Sequence, residues 1–288
     1  MLEKYIKKNI RRKIDKWLKS IKDEKVKDVI KNNLIVSGGC FVSMLQNETP
    51  NDYDCYFRTS DSLKIVLEYY LNQFKNKEVT DIITNKSNIV FYKNGITVKE
   101  NNKHEYGDGW YIYIKGSGVL RQKKPKDSKQ KYYPIYASSN AITLTDGIQI
   151  VARFVGSPEL LHTNFDFIHT KSYYDYCFNK LVIPKSVYEA VMNKTLIFTN
   201  SKYPLCSLFR IKKMMKRGWK ISAGEIFKIA FKLNEYDLKD INVLYDQLIG
   251  VDSVYFSSII ASLTSNNETY CYQNIFNLVE ETFASIKE

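Results

Sequence analysis

The sequence predicts an α+β fold: a mixed β-sheet with flanking helices over residues 1–180, followed by an α-helical domain over residues 181–288. Three observations predict it. Short apolar runs bounded by Gly, Asn, Asp and Pro recur between residues 34 and 168, as strands do. Apolar residues at helical spacing open the chain and fill it beyond residue 184. Between them, Leu34 to Arg58 runs strand, turn, short helix, strand.

Leu2, Ile6, Ile10, Ile14, Leu18 and Ile21 recur near the helical period with Lys and Arg on the other faces, so residues 2–21 read as a basic amphipathic helix. Such a helix docks on a protein surface, or lies on a membrane or on nucleic acid. A second helix over residues 23–32 leads into the strand Leu34-Ile35-Val36, which ends at Ser37-Gly38-Gly39. Phe41 to Leu45 suits a short buried helix, stopped by the polar stretch Asn47 to Asn51 with Pro50. Asp52 to Arg58 alternates as a strand, and residues 61–75 form a helix with Leu63, Val66, Leu67, Tyr70, Leu71 and Phe74 inward. Ile89 to Tyr92 and Ile96 to Lys99 flank Lys93-Asn94-Gly95 as a β-hairpin. Residues 100–138 contain a strand at Trp110 to Ile114 and a mobile basic loop near 115–131. Ala141 to Leu144, the turn Thr145-Asp146-Gly147 and Ile148 to Phe154 make a second hairpin. Ser157 caps a helix that runs to His162, and Phe165 to Ile168 reads as a strand. Helices follow near 185–195, 204–217, 222–233, 236–249, 252–263 and 272–286.

A chain of 288 residues buries a substantial core without disulfides. Its five cysteines form no C-x-x-C and its three histidines fall at no zinc spacing, which sets the expectation of a reduced cytoplasm. No run of 18 apolar residues and no apolar N-terminal leader occurs, so neither a membrane span nor a secretion signal is expected. The net charge of +12 favours phosphate-bearing partners, and its distribution says where. Residues 1–33 hold twelve Lys or Arg against five acids, Arg121 to Lys131 six against one, and Arg210 to Lys220 six against none. Residues 234–288 are acidic, with nine acids against two bases.

The chemistry centres on Gly38-Gly39 and on Asp52 and Asp54. Glycine lets backbone N–H groups approach a triphosphate closely, and a following helix presents its positive end to anionic oxygens. Two carboxylates one residue apart on a strand share a face. That is costly unless a cation lies between them, as Mg²⁺ does in such sites. SGGCFVSMLQNETPNDYDCYF resembles the signature of polymerase-β-like nucleotidyltransferases, and the wider pattern is similar to nucleotidyltransferase-like proteins encoded by bacteriophages. The resemblance covers residues 34–58 directly and extends through the hairpins to about residue 170. It implies a nucleotidyltransferase-type mixed sheet and a nucleoside triphosphate lying against Ser37, Gly38 and Gly39. It also implies two ions, Mg²⁺ or Mn²⁺, held by Asp52, Asp54 and a third acid on an adjacent strand. Cys40 stands where Ser or Gly is usual, removing a hydroxyl that often contacts phosphate.

Asp166, flanked by Phe165 and Phe167, is the best candidate for the third acid; Asp146 lies in a turn and Asp175 in a Tyr-rich segment. In the helix near 204–217, Leu208, Ile211, Met214 and Met215 face inward, while Arg210, Lys213 and Arg217 share another face and Gly218 stops the helix. That basic face contacts the triphosphate or an acceptor strand, or is simply solvated. Tyr173, Tyr174 and Tyr176 stack on a base or pack in the core. His169 lies opposite Asp166 by strand parity and stays outside the site. The reading is a metal-dependent nucleotidyltransferase that moves an NMP from an NTP to a hydroxyl of nucleic acid, tRNA or protein and releases pyrophosphate. Competing with it is a catalytically inactive protein of the same fold that binds nucleic acid or associates with a virion.

Overall fold

The computed structural model describes residues 2–74, 89–93, 110–114, 120–126, 128–138 and 140–240, with short helical pieces at 243–244 and 247–248. Helix α1 (Leu2–Ser20) places Ile6, Ile10, Ile14, Trp17 and Leu18 on one buried stripe. Each such side chain contributes about 1.5–3 kcal/mol by leaving water. The Trp17 indole N–H donates to the Tyr70 hydroxyl at 2.6 Å, so its polar end is satisfied inside the core. The apolar face of α1 is thus taken by the protein itself and is not offered to a membrane. Among the described residues no helix is long and apolar enough to cross one.

Asp23 caps α2 (Glu24–Asn33) by accepting from the Val26 N–H, and the chain passes straight into β1 (Leu34–Ser37). Helix α3 (Gly39–Leu45) and strand β2 (Tyr53–Phe57) complete the predicted strand-turn-helix-strand unit, though Asp52 precedes the strand. Thr59 caps α4 (Ser60–Leu71), and all six residues expected to face inward from this segment are buried. Strand β3 (Ile89–Lys93) pairs antiparallel with β4 (Trp110–Ile114). Ile96 to Lys99, the partner expected for Ile89 to Tyr92 in a tight hairpin, lies outside the described residues; among the described residues β4 is the partner of β3.

Five strands follow in the first half of the remaining chain: β5 (Leu120–Arg121), β6 (Pro134–Ala137), β7 (Ala141–Leu144), β8 (Ile148–Val155) and, after helix α5 (Pro158–His162), β9 (Tyr173–Asp175). Strand β10 (Lys180–Val182) ends an eight-stranded sheet of order β10-β9-β1-β2-β8-β7-β6-β5. Neighbours are antiparallel except β2 and β8, which run parallel. The loop expected near 115–131 is partly tied down, because β5 pairs with β6 and the Gln122 N–H donates to the Ile135 carbonyl at 2.9 Å. The second hairpin forms as predicted. Its turn holds Asp146 at φ +61° and Gly147 at φ +67°, the positive pair that matches strand twist.

One sheet face packs on α1, α2 and α4 through residues such as Val36, Cys55, Phe57, Ile148 and Ile150. The opposite face carries Ile35, Tyr56, Val151 and Tyr173, covered by Leu161 of α5 and by Phe165. Beyond the sheet come α6 (Lys185–Met192), β11 (Thr195–Leu196), α7 (Pro204–Lys216), β12 (Lys220–Ile221) and α8 (Ala223–Leu233). Strands β11 and β12 pair in parallel, a contact too short to leave a period in the sequence.

Candidate active site

Strand register decides which side chains meet. Ser37 of β1 lies opposite Asp54 of β2 and, on its other side, opposite Tyr173 of β9. Asp54 in turn lies opposite Gln149 of β8. A row Tyr173, Ser37, Asp54, Gln149 therefore crosses one end of the sheet on the face away from α1 and α4.

Gly38 bends the chain over Asp54. Its φ of +96° suits glycine, and a Cβ there would lie 2.6 Å from Asp54 Oδ2, so the turn and the carboxylate are in contact. Gly39 makes no such demand, with nothing within 4 Å of an added Cβ. Asp52 is exposed, and its backbone is set by the hairpin turn: the Tyr53 N–H donates to the Gly147 carbonyl at 2.8 Å. A Cβ on Gly147 would strike the Asn51 carbonyl at 2.5 Å, so this second glycine allows the close approach that positions Asp52.

The neighbours of this pair are engaged within the protein. Ser37 is fully buried; its hydroxyl donates to the Ser172 carbonyl at 2.6 Å and lies 3.0 Å from His162 Nε2. With that proton committed, His162 Nε2 is the donor to Ser37 Oγ. Burial pulls His162 down to about 4, aided by the Lys171 charge and opposed by Glu159, so the ring is neutral at pH 7. Cys40 is buried and faces no solvent; burial pushes its thiol up, with the charges of Asp54, Cys55 and Asp52 acting in the same direction. Neither Ser37 nor Cys40 offers its side chain to a ligand on the Asp54 face.

Asp166 is placed elsewhere. The expected strand Phe165 to Ile168 does not form. Residue 166 sits in a bend, Phe167 makes an isolated bridge to Phe198, and Ile168–Thr170 is a turn of 3₁₀ helix. The reason lies in the sheet: β2 is flanked on both sides, by β1 and β8, so no edge beside it remains for this segment. Neither β1 nor β8 contains a carboxylate. Asp166, 5% exposed, accepts from Arg210 Nη1 at 2.6 Å and from Ser207 Oγ at 3.1 Å, both on α7. His169 lies within electrostatic reach of Asp166, because the segment is a turn of 3₁₀ helix and not the strand whose parity would have set the two apart. Burial pulls it to about 4, the Asp166 charge opposes that, and Arg210 and Arg217 reinforce it. Its Nδ1 is buried with no hydrogen-bond partner among the described residues. No group of three or more His, Cys, Asp or Glu residues suited to a metal ion occurs among the described residues, so Asp52, Asp54 and Asp166 are not brought together.

The basic face of α7 has a definite position. Arg210 pairs with Asp166, and Arg217 pairs with Glu48, on the loop that leads to Asp52, at 2.8 Å. Arg210 also acts on buried Tyr56, whose hydroxyl is pushed up by burial and by Asp54 and pulled back by this guanidinium. Lys213 lies exposed between the two arginines. Leu208 and Met215, expected inward, are 37% and 55% exposed; Cys206, Ser207 and Ile211 take the buried side. Tyr174 packs in the core and Tyr173 lines the Asp54 face. Asp175, a weaker candidate acid, is ion-paired with Arg58. The local sequence signal for His162 is only a histidine closing a Ser-capped helix immediately after a sheet strand.

Comparison with curated proteins finds no match. Among solved structures, the Thermotoga maritima CCA-adding enzyme complexed with tRNA_CCA is similar at TM-score 0.37 and 13% identity, over 95% of this chain and 62% of that one. The chain thus spans less than two thirds of that enzyme's length. Residues 8–194, which include the Gly38 turn, both aspartates and the sheet that holds them, match the Gabija anti-defense 2 family, and the chain belongs to that family.

Proposed function

We propose that the protein is a metal-dependent nucleotidyltransferase that moves an NMP from a nucleoside triphosphate to a hydroxyl acceptor. The observation that carries this reading is the contact between the Gly38 turn and the Asp54 carboxylate, with Asp52 fixed two residues away at the strand entrance. Two carboxylates and substrate phosphates are an ordinary set for one Mg²⁺ or Mn²⁺. The three-acid set for two ions does not fit, because Asp166 is held by Arg210 and Ser207. An ion on Asp52 and Asp54 would supply charge neutralisation at the reacting phosphate.

The chain's own groups do the rest. Backbone N–H groups at Gly38 and Gly39 bind phosphate oxygens, and the Arg210, Lys213 and Arg217 face of α7 draws the triphosphate toward the aspartates. The acceptor oxygen bonds to the α-phosphorus while the bond to the β-phosphate oxygen breaks. Pyrophosphate leaves, and the hydroxyl proton passes to the aspartate pair and on to water. Asp166 acts as a positioning residue that orients Arg210. Membership in a family described as Gabija anti-defense supports an acceptor, nucleic acid or protein, belonging to the defence that this description names.

The test is incubation with each α-labelled NTP, Mg²⁺ and host RNA, DNA and protein. Transfer that disappears in Asp52→Ala, Asp54→Ala supports the reading, and transfer that persists overturns it. Absence of label with every NTP and acceptor, from folded protein, favours the binding protein of the same fold.

A further inference from the structure

A concavity lies on the other side of β2, away from the Asp54 face. It has a volume of about 300 Å³ and is walled by α1, the end of α3, the loop leading to Asp52, and Tyr53. That is the lower end of the size range of ligand pockets. Its lining combines three cations, Arg12, Lys13 and Lys16, with the aromatic rings of Tyr5 and Tyr53. Glu48 is the acid in this lining, and Arg217 already pairs with it.

Helical spacing makes the α1 wall a continuous stripe. Tyr5, Arg12, Lys13 and Lys16 flank the buried Ile6, Ile10 and Ile14 stripe, and from Tyr5 to Lys16 the wall extends about 16 Å along the helix axis. Lys13 is the informative member. Its Nζ sits 5.3 Å from the Tyr53 ring centre and 5.5 Å from that of Tyr132, and among the described residues it forms no ion pair. Burial pulls its ammonium below the usual value, against the opposing pull of Asp146. A half-buried cation that lies against two ring faces without an ion pair among the described residues is a charge that an incoming anion would complete. Tyr5, 55% exposed, presents a free aromatic surface at the end of the stripe.

We infer that this concavity binds a segment of single-stranded nucleic acid, its phosphates on Arg12, Lys13 and Lys16 and a base on Tyr5. Cations tracking a backbone beside aromatic stacking platforms are the means by which proteins hold single strands, and the stripe is longer than one nucleotide needs. A duplex keeps its bases stacked and cannot use Tyr5. The site is independent of nucleotidyl transfer, because it shares neither aspartate.

The experiment is fluorescence anisotropy of the full chain with a labelled oligo-dT of about twelve nucleotides, in EDTA and without nucleotide, across a salt series. Arg12→Gln, Lys16→Gln changes two exposed side chains; Lys4→Gln, Lys8→Gln removes the same charge from another face of α1. The first variant is expected to bind about tenfold more weakly and to flatten the slope of log affinity against log salt by about 1.4, the value for two lost single-strand phosphate contacts. Tyr5→Leu is expected to weaken binding about tenfold with the slope unchanged. Equal loss in both charge variants, unchanged binding by Arg12→Gln, Lys16→Gln, or a matched duplex binding as tightly as the single strand would each overturn the inference. Asp52→Ala, Asp54→Ala is expected to bind as the unaltered protein does, so failure of this site and failure of the transfer reading are separately visible.

Discussion

Gly38→Ala is the substitution whose consequence the structure specifies most closely. The backbone at Gly38 has φ +96° and ψ −151°, a region outside those open to L-residues, and entering it costs a side-chain-bearing residue about 1–3 kcal/mol. The new methyl would also lie 2.6 Å from Asp54 Oδ2, closer than real contacts come. Displacing the carboxylate or the turn adds about 1–3 kcal/mol, the usual cost of overpacking. The single variant should therefore lose about 2–6 kcal/mol of stability. Asp54→Ala removes the atoms that the methyl strikes, so the double variant retains only the backbone penalty. A double-mutant cycle by urea unfolding should show a favourable coupling of about 1–3 kcal/mol. Gly39→Ala is the control. Inside α3, with open space for a Cβ, it should be neutral or stabilise by about 0.5–1 kcal/mol. Strict additivity of Gly38→Ala and Asp54→Ala, or a Gly38→Ala protein as stable as the unaltered one, would mean that the turn and the Asp54 carboxylate are not in contact.

Other consequences can be measured alongside. Arg210→Ala strands the Asp166 carboxylate, 5% exposed, with only Ser207; because Arg210 is itself 45% exposed, screening reduces the loss to about 1–3 kcal/mol, read as a lower urea midpoint. Asp166→Asn should cost less, since the amide oxygen can still accept from Ser207. His162 and His169 each stand at about 4 in the folded chain against 6.5 unfolded, so the unfolded state binds more protons between those values. Their contribution is complete above pH 6.5 and is lost as pH falls toward 4, with about 2 kcal/mol per histidine gone by pH 5. Urea midpoints at pH 7 and pH 5 check the sign, and His162→Asn should reduce the difference. Gly147→Ala should strain the hairpin turn, push the Asn51 carbonyl and shift Asp52, so nucleotide affinity is expected to fall more than stability does.

What the sequence disclosed was local. The α1 stripe, the Asp146-Gly147 hairpin and the Ser157 cap were legible because period and turn chemistry act within a few residues. The β1-turn-α3-β2 unit was legible for the same reason. What escaped was decided by distant neighbours. Phe165 and Phe167 alternate as in a strand, but with β1 and β8 flanking β2 their backbone turned to Phe198 and Thr199 instead. Strand β3 pairs with the distant β4, a partner that alternation alone cannot identify. Leu208 and Met215 had the right spacing for an inward face, yet the side of α7 that is buried depends on what packs against it. Gly38 and Gly39 are indistinguishable in sequence and differ entirely in their surroundings.

The central claim is that Asp52 and Asp54 beside the Gly38 turn form a metal and triphosphate site. Nucleotide binding measured by calorimetry with Mg²⁺, with Mn²⁺ and with EDTA, for the unaltered chain and for Asp54→Asn, tests it most directly. NTP binding is expected to require the divalent ion and to fall by at least about tenfold in Asp54→Asn, with folding retained. NTP binding of equal strength in EDTA and in Asp54→Asn would contradict it.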